Sequence, residues 1–150
     1  MTHVDAIQFL KEEHQKAKAA FSKLLAAAPD RRGALWDALH PELQHHEEIE
    51  DTCLYGPLAD ERPLDPTLSE WVSDRHEEEV GDVESLIEKT EHLDPHGEHW
   101  LSIIRQIHTS LENHIRQEEG EIFPRITKVW DGARLTKAAE EMTGLKAGRH

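Results

Sequence analysis

In four separate stretches of this chain, apolar residues recur at alternating steps of three and four, and each series is broken at one level by ionisable side chains. The first stripe reads Ile7, Leu10, His14, Ala17, Phe21, Leu24, and the second Leu39, Leu43, His46, Glu50, Cys53. The third reads Val72, His76, Val80, Val83, Ile87, and the fourth Trp100, Ile104, Ile107, Leu111, His114, Glu118, Ile122. That spacing places each series along one face of a helix, and such a face turns inward in a bundle. Four histidines and two glutamates must therefore share one core with side chains that exclude water.

Taken singly, these signals are weak. An isolated His-x-x-x-Glu is usually a solvated pair worth a few tenths of a kcal/mol, and a lone stripe histidine is usually a hydrogen-bonded core residue. The coincidence carries the weight. Left unpaired in a core, each of the six groups costs several kcal/mol, and the carboxylates more. Bound cations remove that cost, because imidazoles ligate as neutral groups and carboxylates offset the metal charge.

Repetition points to more than one ion. The stretch HEEIEDTCLYGP (46–57) has a counterpart, HIRQEEGEIFP (114–124), with His, Glu, an aliphatic residue and an aromatic residue in matched places at an offset of 68. His14 precedes the first copy and His76 the second, giving two helical hairpins with one His and one His-Glu pair each. Two ions sharing carboxylates fit that pattern. Iron, manganese and zinc all suit nitrogen-rich ligation with carboxylates, and spacing does not choose among them.

Composition narrows the partners. At 150 residues the chain is one domain by length, with 37% hydrophobic and 32% charged residues, a globular balance. A formal charge of −14 argues against nucleic acid and against anionic membrane surfaces, both of which need clustered Lys and Arg. No apolar run is long enough to span a bilayer, and MTHVDAIQFLKEEH carries no signal-peptide core. With Cys53 alone there is no intramolecular disulfide, so a reducing cytoplasm is the expected compartment.

The pattern predicts an all-α, up-down-up-down four-helix bundle over residues 1–130, with a short additional helix and tail over 131–150. The first helix is expected to start after Thr2 and run to about Ala28, followed by a turn at PDRRG (29–33). The second covers Ala34 to about Tyr55, kinked or restarted at Pro41 and ended by Gly56–Pro57. An irregular connection, PLADERPLDP, leads to a third helix opening at a TLSE capping box on Thr67 and running to about Leu93. After the DPHG break at 94–97, the fourth spans about Glu98 to Glu121, with Pro124 bending or ending it. Asp131–Gly132 then turns the chain into the last helix, Ala133 to Lys146.

The segments FLKEEH (9–14), HEEIEDTCLYGP (46–57), DRHEEEV (74–80) and HIRQEEGEIFP (114–124) resemble the hemerythrin-like (HHE cation-binding) family from about His14 to Pro124. The resemblance implies a four-helix bundle holding two iron ions, a non-haem di-iron centre with oxo or hydroxo and carboxylate bridges that interacts with dioxygen. Carried over by motif, the ligands are His14, His46, Glu50, His76, His114 and Glu118, the Glu side chains bridging. The chain departs from the oxygen-carrying members in helix 3, where both neighbours of His76 at four-residue spacing are valines. In helix 4, the carboxylate is a Glu four residues after His114 rather than an Asp five after. Glu47 is the first candidate to fill the position of the lost imidazole. More oxygen ligation favours the ferric state over reversible oxygen carriage.

The leading expectation is a di-iron protein that binds dioxygen or a related small ligand, for oxygen, redox or nitric oxide handling. An alternative is an enzyme degrading peroxide at the same centre, and another an iron-responsive regulatory or interaction module. A ferritin-like site needs Glu-x-x-His on two helices, and only Glu42–His45 fits; a His-Glu-x-x-His zinc protease motif is absent. His45, His92, His96, His99 and His108 are expected to be solvated or flanking, Cys53 a small core residue, and the four tryptophans packing residues. Tyr55 and Phe123 are expected to plug one end of the bundle, with Tyr55 a candidate hydrogen-bond donor near the centre. The acidic runs EEIED, HEEEVGDVE and QEEGE are expected to form mostly solvated faces.

Overall fold

A computed structural model describes residues 4–61 and 63–148. The described residues are helical and contain no strand, as the absence of period-two alternation requires. Helix α1 spans Ala6–Ala26 and α2 Pro29–Glu50. After short helices α3 (Gly56–Ala59) and α4 (Pro66–Glu70) come α5 (His76–Thr90) and α6 (Glu98–Gln117). A single turn, α7 (Phe123–Ile126), precedes α8 (Gly132–Ala147). Helix α1 packs on α2 and α5 on α6, while α8 lies against α1 and α2. Among the described residues, no helix is long and apolar enough to cross a membrane.

Several boundaries differ from the sequence expectations, each for a local reason. Helix α1 is capped by Asp5, whose carboxylate accepts from the Gln8 backbone N–H at 2.9 Å while Gln8 reaches back to the Asp5 N–H. Thr2 lies outside the described residues. PDRRG is not a turn but the start of α2: Pro29 occupies the first helical turn, where its missing N–H costs nothing. Helix α2 also runs through Pro41 without a restart; the ring removes one donor, and the flanking Leu39 and Leu43 stay packed in the core. At α4, Asp65 rather than Thr67 caps the helix, accepting from the Leu68 N–H at 2.9 Å with Pro66 behind it.

Three π-helical turns interrupt the regular helices: Asp51–Tyr55, Trp71–Arg75 and Glu118–Ile122. Gly56–Pro57, expected to end the second helix, does not do so at once, and neither does Pro124, expected to bend or end the fourth: each proline follows a π-turn and the chain continues for one α-helical turn. A proline ring crowds the carbonyl four residues earlier, and the wider turn just before it relieves that contact. The first π-turn also needs its glycine, because a Cβ on Gly56 would stand 2.7 Å from the Asp51 carbonyl oxygen.

The apolar side chains form two clusters. One gathers Leu10, Ile49, Leu54, Leu58, Leu68, Trp71, Ile122 and Phe123, with Leu135, Ala138 and Met142 of α8 completing it. The other gathers Phe21, Leu24, Trp36, Leu39, Ile87, Trp100, Ile104 and Ile107. Along α1, α2 and α6, and from Trp71 into α5, the stripe histidines and glutamates fall between residues of the first cluster and residues of the second. A polar layer is thereby sealed between two apolar ones.

Candidate metal centre

All seven sequence-predicted residues meet in that layer. His14 comes from α1, His46, Glu47 and Glu50 from α2, and His76 from the first residue of α5. His114 lies at the end of α6, and Glu118 opens the π-turn that follows. Glu50 and Glu118 are 0% exposed, and His14, His76 and His114 at most 5%; His46 and Glu47 are partly buried.

Their ligand atoms form two groups: His14, His46, Glu50 and Glu118, and Glu47, Glu50, His76 and His114, each within 4.8 Å of one another. Glu50 belongs to both and divides its oxygens between them. Its Oε2 lies 3.1 Å from His46 Nε2 and 3.8 Å from His14 Nε2. Its Oε1 lies 3.0 Å from His76 Nε2 and 4.0 Å from His114 Nε2. Glu118 also spans the groups, with Oε1 3.3 Å from His14 Nε2 and 3.4 Å from His114 Nε2. Glu47 joins the second group, its Oε2 3.1 Å from His76 Nε2.

Outside this layer, carboxylates fix the imidazoles. The Nδ1–H of His14 donates to Glu119 at 2.7 Å, and that of His114 donates to Glu79 at 2.7 Å. A carboxylate on Nδ1 sets the tautomer and ring orientation and leaves Nε2 as the inward-facing lone pair. Glu13 stands 4.0 Å from Nδ1 of His46 and pairs with Lys146 of α8. Glu79 and Glu119 are exceptions to the reading of the acidic runs as mostly solvated faces, and Glu13, outside those runs, was not singled out by the sequence. The signal was weak: each lies one or three residues from a stripe histidine or glutamate, on the flank of the seam rather than on it.

Aromatic side chains close one side. Phe123 stacks parallel to the His14 ring at 6.0 Å, and Trp71 lies 5.6 Å from His76 and 5.4 Å from His114. The Tyr55 hydroxyl donates to Oε2 of Glu118, so Tyr55 is both plug and hydrogen-bond donor. Cys53 is buried in the apolar cluster, and burial, with Glu141 nearby, raises its thiol pKa; it is a core residue. His96 tethers a loop by facing Asp30 at 3.0 Å and Asp94 at 3.1 Å, and His108 lies on the flank, 3.3 Å from Glu112.

Electrostatics marks the layer as a place for positive charge. Burial disfavours the imidazolium form of His14, yet Glu118 and Glu50 outweigh it and lift the pKa to about 9. His76 follows the same balance against burial, with Glu47 and Glu50 lifting it to about 10. Burial, reinforced by the charge of Glu50, pushes Glu118 up. Against its own burial, Glu50 is held well below the usual range by His46, His114 and His14. The metal-free chain thus gathers protons where cations would otherwise supply the charge.

The donor atoms also fit a metal by what they lack. Nε2 of His14, Nε2 of His114 and Oε1 of Glu118 are buried without a hydrogen-bond partner, although all three converge. Buried polar atoms in native structures are nearly always satisfied, and imidazole nitrogen with carboxylate oxygen is a donor set for borderline divalent cations.

No curated protein and no solved structure matches the chain. The family model for the hemerythrin HHE cation binding domain matches residues 5–126, a span that includes all seven clustered residues and the glutamates behind them. With most of its length matched and a His/Glu cluster built for cations, the chain belongs to the hemerythrin HHE cation-binding domain family.

Proposed function

We propose that the chain is a non-haem di-iron protein, organised as an up-down-up-down four-helix bundle, that binds dioxygen or a related small ligand such as peroxide or nitric oxide. The observation that carries this reading is the sharing of Glu50 between two four-residue groups of ligand atoms. One ion would take His14, His46, Glu50 and Glu118, and the other Glu47, Glu50, His76 and His114. When bound, such an iron pair supplies coordination of, and electron exchange with, the small ligand.

The protein's own contribution is positional. Glu119 and Glu79 keep protons on Nδ1 of His14 and His114, so their Nε2 lone pairs face inward. Tyr55 holds a proton against Oε2 of Glu118, and Phe123 and Trp71 exclude water from their side of the layer. Seven donors, three of them carboxylates, favour the more highly charged ferric ions and hence redox handling over reversible carriage. Anaerobic iron loading followed by metal analysis and an optical spectrum tests this. A pair of irons per chain and charge-transfer bands on exposure to air are expected; a single iron, or none, overturns the proposal.

A further inference from the structure

A cavity of about 370 Å³ opens beside the metal layer between α1, α2 and α6. Its inner end is formed by His14, His46, Glu47 and His114, and its walls include Ala17, Ala20, Phe21, Leu39, Leu43 and Leu111. The lining extends along α1 from Glu13 to Lys23 and along α2 from Leu35 to Glu47. At 1.5 Å of rise per residue it reaches roughly 15 Å from one end to the other. A diatomic ligand needs little more than the ~30 Å³ share of one water molecule, whereas cavities of about 300 Å³ and above hold organic ligands. The space is far larger than the small ligand alone requires.

Its border carries four lysines, Lys16, Lys18, Lys23 and Lys146, and four glutamates, Glu13, Glu42, Glu47 and Glu112, and the two kinds differ in how they are held. The acidic side chains of the wall are engaged: Glu13 with Lys146, Glu112 with His108, Glu47 with His76, and Glu42 also has a partner. Lys16, Lys18 and Lys23 line the α1 edge of the cavity and enter none of those pairs. On a chain of net charge −14, three such cations beside an apolar slot are a specific invitation to an anion with an apolar tail.

We propose that this cavity binds a linear medium-chain aliphatic carboxylate, its carboxylate at the lysine edge and its methyl end towards His14 and His46. A seated chain covers the cavity side of the metal layer and so limits the approach of small ligands from that side; this last consequence rests on the metal reading above, whereas the slot and its lysines do not.

Isothermal titration of decanoate and of decanol into the iron-loaded full-length protein tests the proposal, with metal content measured on every sample. Saturable one-to-one binding of decanoate, tighter than that of decanol, is expected. The double variant Lys18→Glu/Lys23→Glu, changed only at the cavity edge, should weaken decanoate at least about tenfold and leave decanol unchanged. Ala20→Trp should abolish both by filling the slot; if it fails to fold, the lysine variant still decides. No saturable decanoate binding, decanol binding as tightly as decanoate, or equal decanoate affinity in the lysine variant overturns the proposal. Decanoate binding to a protein that takes up no metal supports the cavity and removes the metal reading; full metal content without decanoate binding does the reverse.

Discussion

The Tyr55 hydroxyl donates to Oε2 of Glu118 at 2.6 Å, joining the end of the first π-turn to the start of the third across the bundle. Both residues are buried. Tyr55 stays protonated, because burial and the charges of Glu118 and Glu50 all raise its pKa. The bond satisfies one oxygen of a carboxylate that is fully buried.

Tyr55→Phe keeps the ring and removes that donor, leaving a buried acceptor unsatisfied. The variant should lose about 1–3 kcal/mol of stability in urea unfolding while retaining its metal stoichiometry. A midpoint equal to wild type would show that Glu118 Oε2 finds another donor.

Glu50 and Glu47 lie three residues apart on α2 but differ in reach. Glu50 places an oxygen near histidines of both groups, while Glu47 serves only the second. Glu50→Ala should therefore abolish binding of both ions, and Glu47→Ala should lower the metal content without abolishing it. Metal analysis after equilibrium dialysis separates the two; equal losses would sink the bridging assignment.

Glu119 and Glu79 meet His14 and His114 at their outer nitrogens. Glu119→Ala and Glu79→Ala should each weaken metal affinity about 10–100-fold, as is typical when the partner of a ligating histidine is removed. Stoichiometry at saturating metal should be unchanged. Competition against a chromophoric chelator measures the affinity; wild-type values in both variants would make these contacts incidental.

Gly56, just after the first π-turn, and Gly120, within the third, give opposite expectations. A Cβ on Gly56 would meet the Asp51 carbonyl oxygen at 2.7 Å, whereas one on Gly120 would meet nothing within 4 Å. Gly120→Ala should stabilise the chain by about 0.5–1 kcal/mol through helix propensity, and Gly56→Ala should destabilise it. Thermal unfolding of the metal-free proteins checks the signs. Stabilisation by both would mean that the first turn relaxes freely.

The seam was legible because helical periodicity is a local property: four stripes with polar residues at one level leave few ways to fold. His14 and His76, each without a Glu four residues on, gained meaning only from the His-Glu pairs at 46–50 and 114–118. Glu79, Glu119 and Glu13 were not legible, since a residue just off the stripe looks solvated until the neighbouring helix is placed. The π-turns escaped for a related reason. Pro57 and Pro124 announce a backbone problem, but whether the chain stops or widens by one residue depends on what packs against it. Asp65–Pro66 was a readable start for α4 that the nearby Thr67 pattern obscured. The cavity beside His46 arises from the separation of α1, α2 and α6, which no spacing within one segment encodes.

Stability should depend on pH with opposite sign in the metal-free and loaded proteins. In the metal-free fold, His14 and His76 hold protons up to about pH 9 and 10, against 6.5 for an ordinary histidine. Between those values the folded state binds more protons than the unfolded chain, so its stability must fall as pH rises. The contribution is complete below about pH 6.5 and gone above 10. In the loaded protein the same nitrogens are occupied by metal, and protons compete with it. Raising the pH there removes the competitor and should strengthen binding, and hence stability. Melting temperatures measured from pH 6.5 to 10 should therefore decline for the metal-free chain and hold or rise for the loaded one. Parallel curves would mean that the metal, if bound, does not occupy these imidazoles.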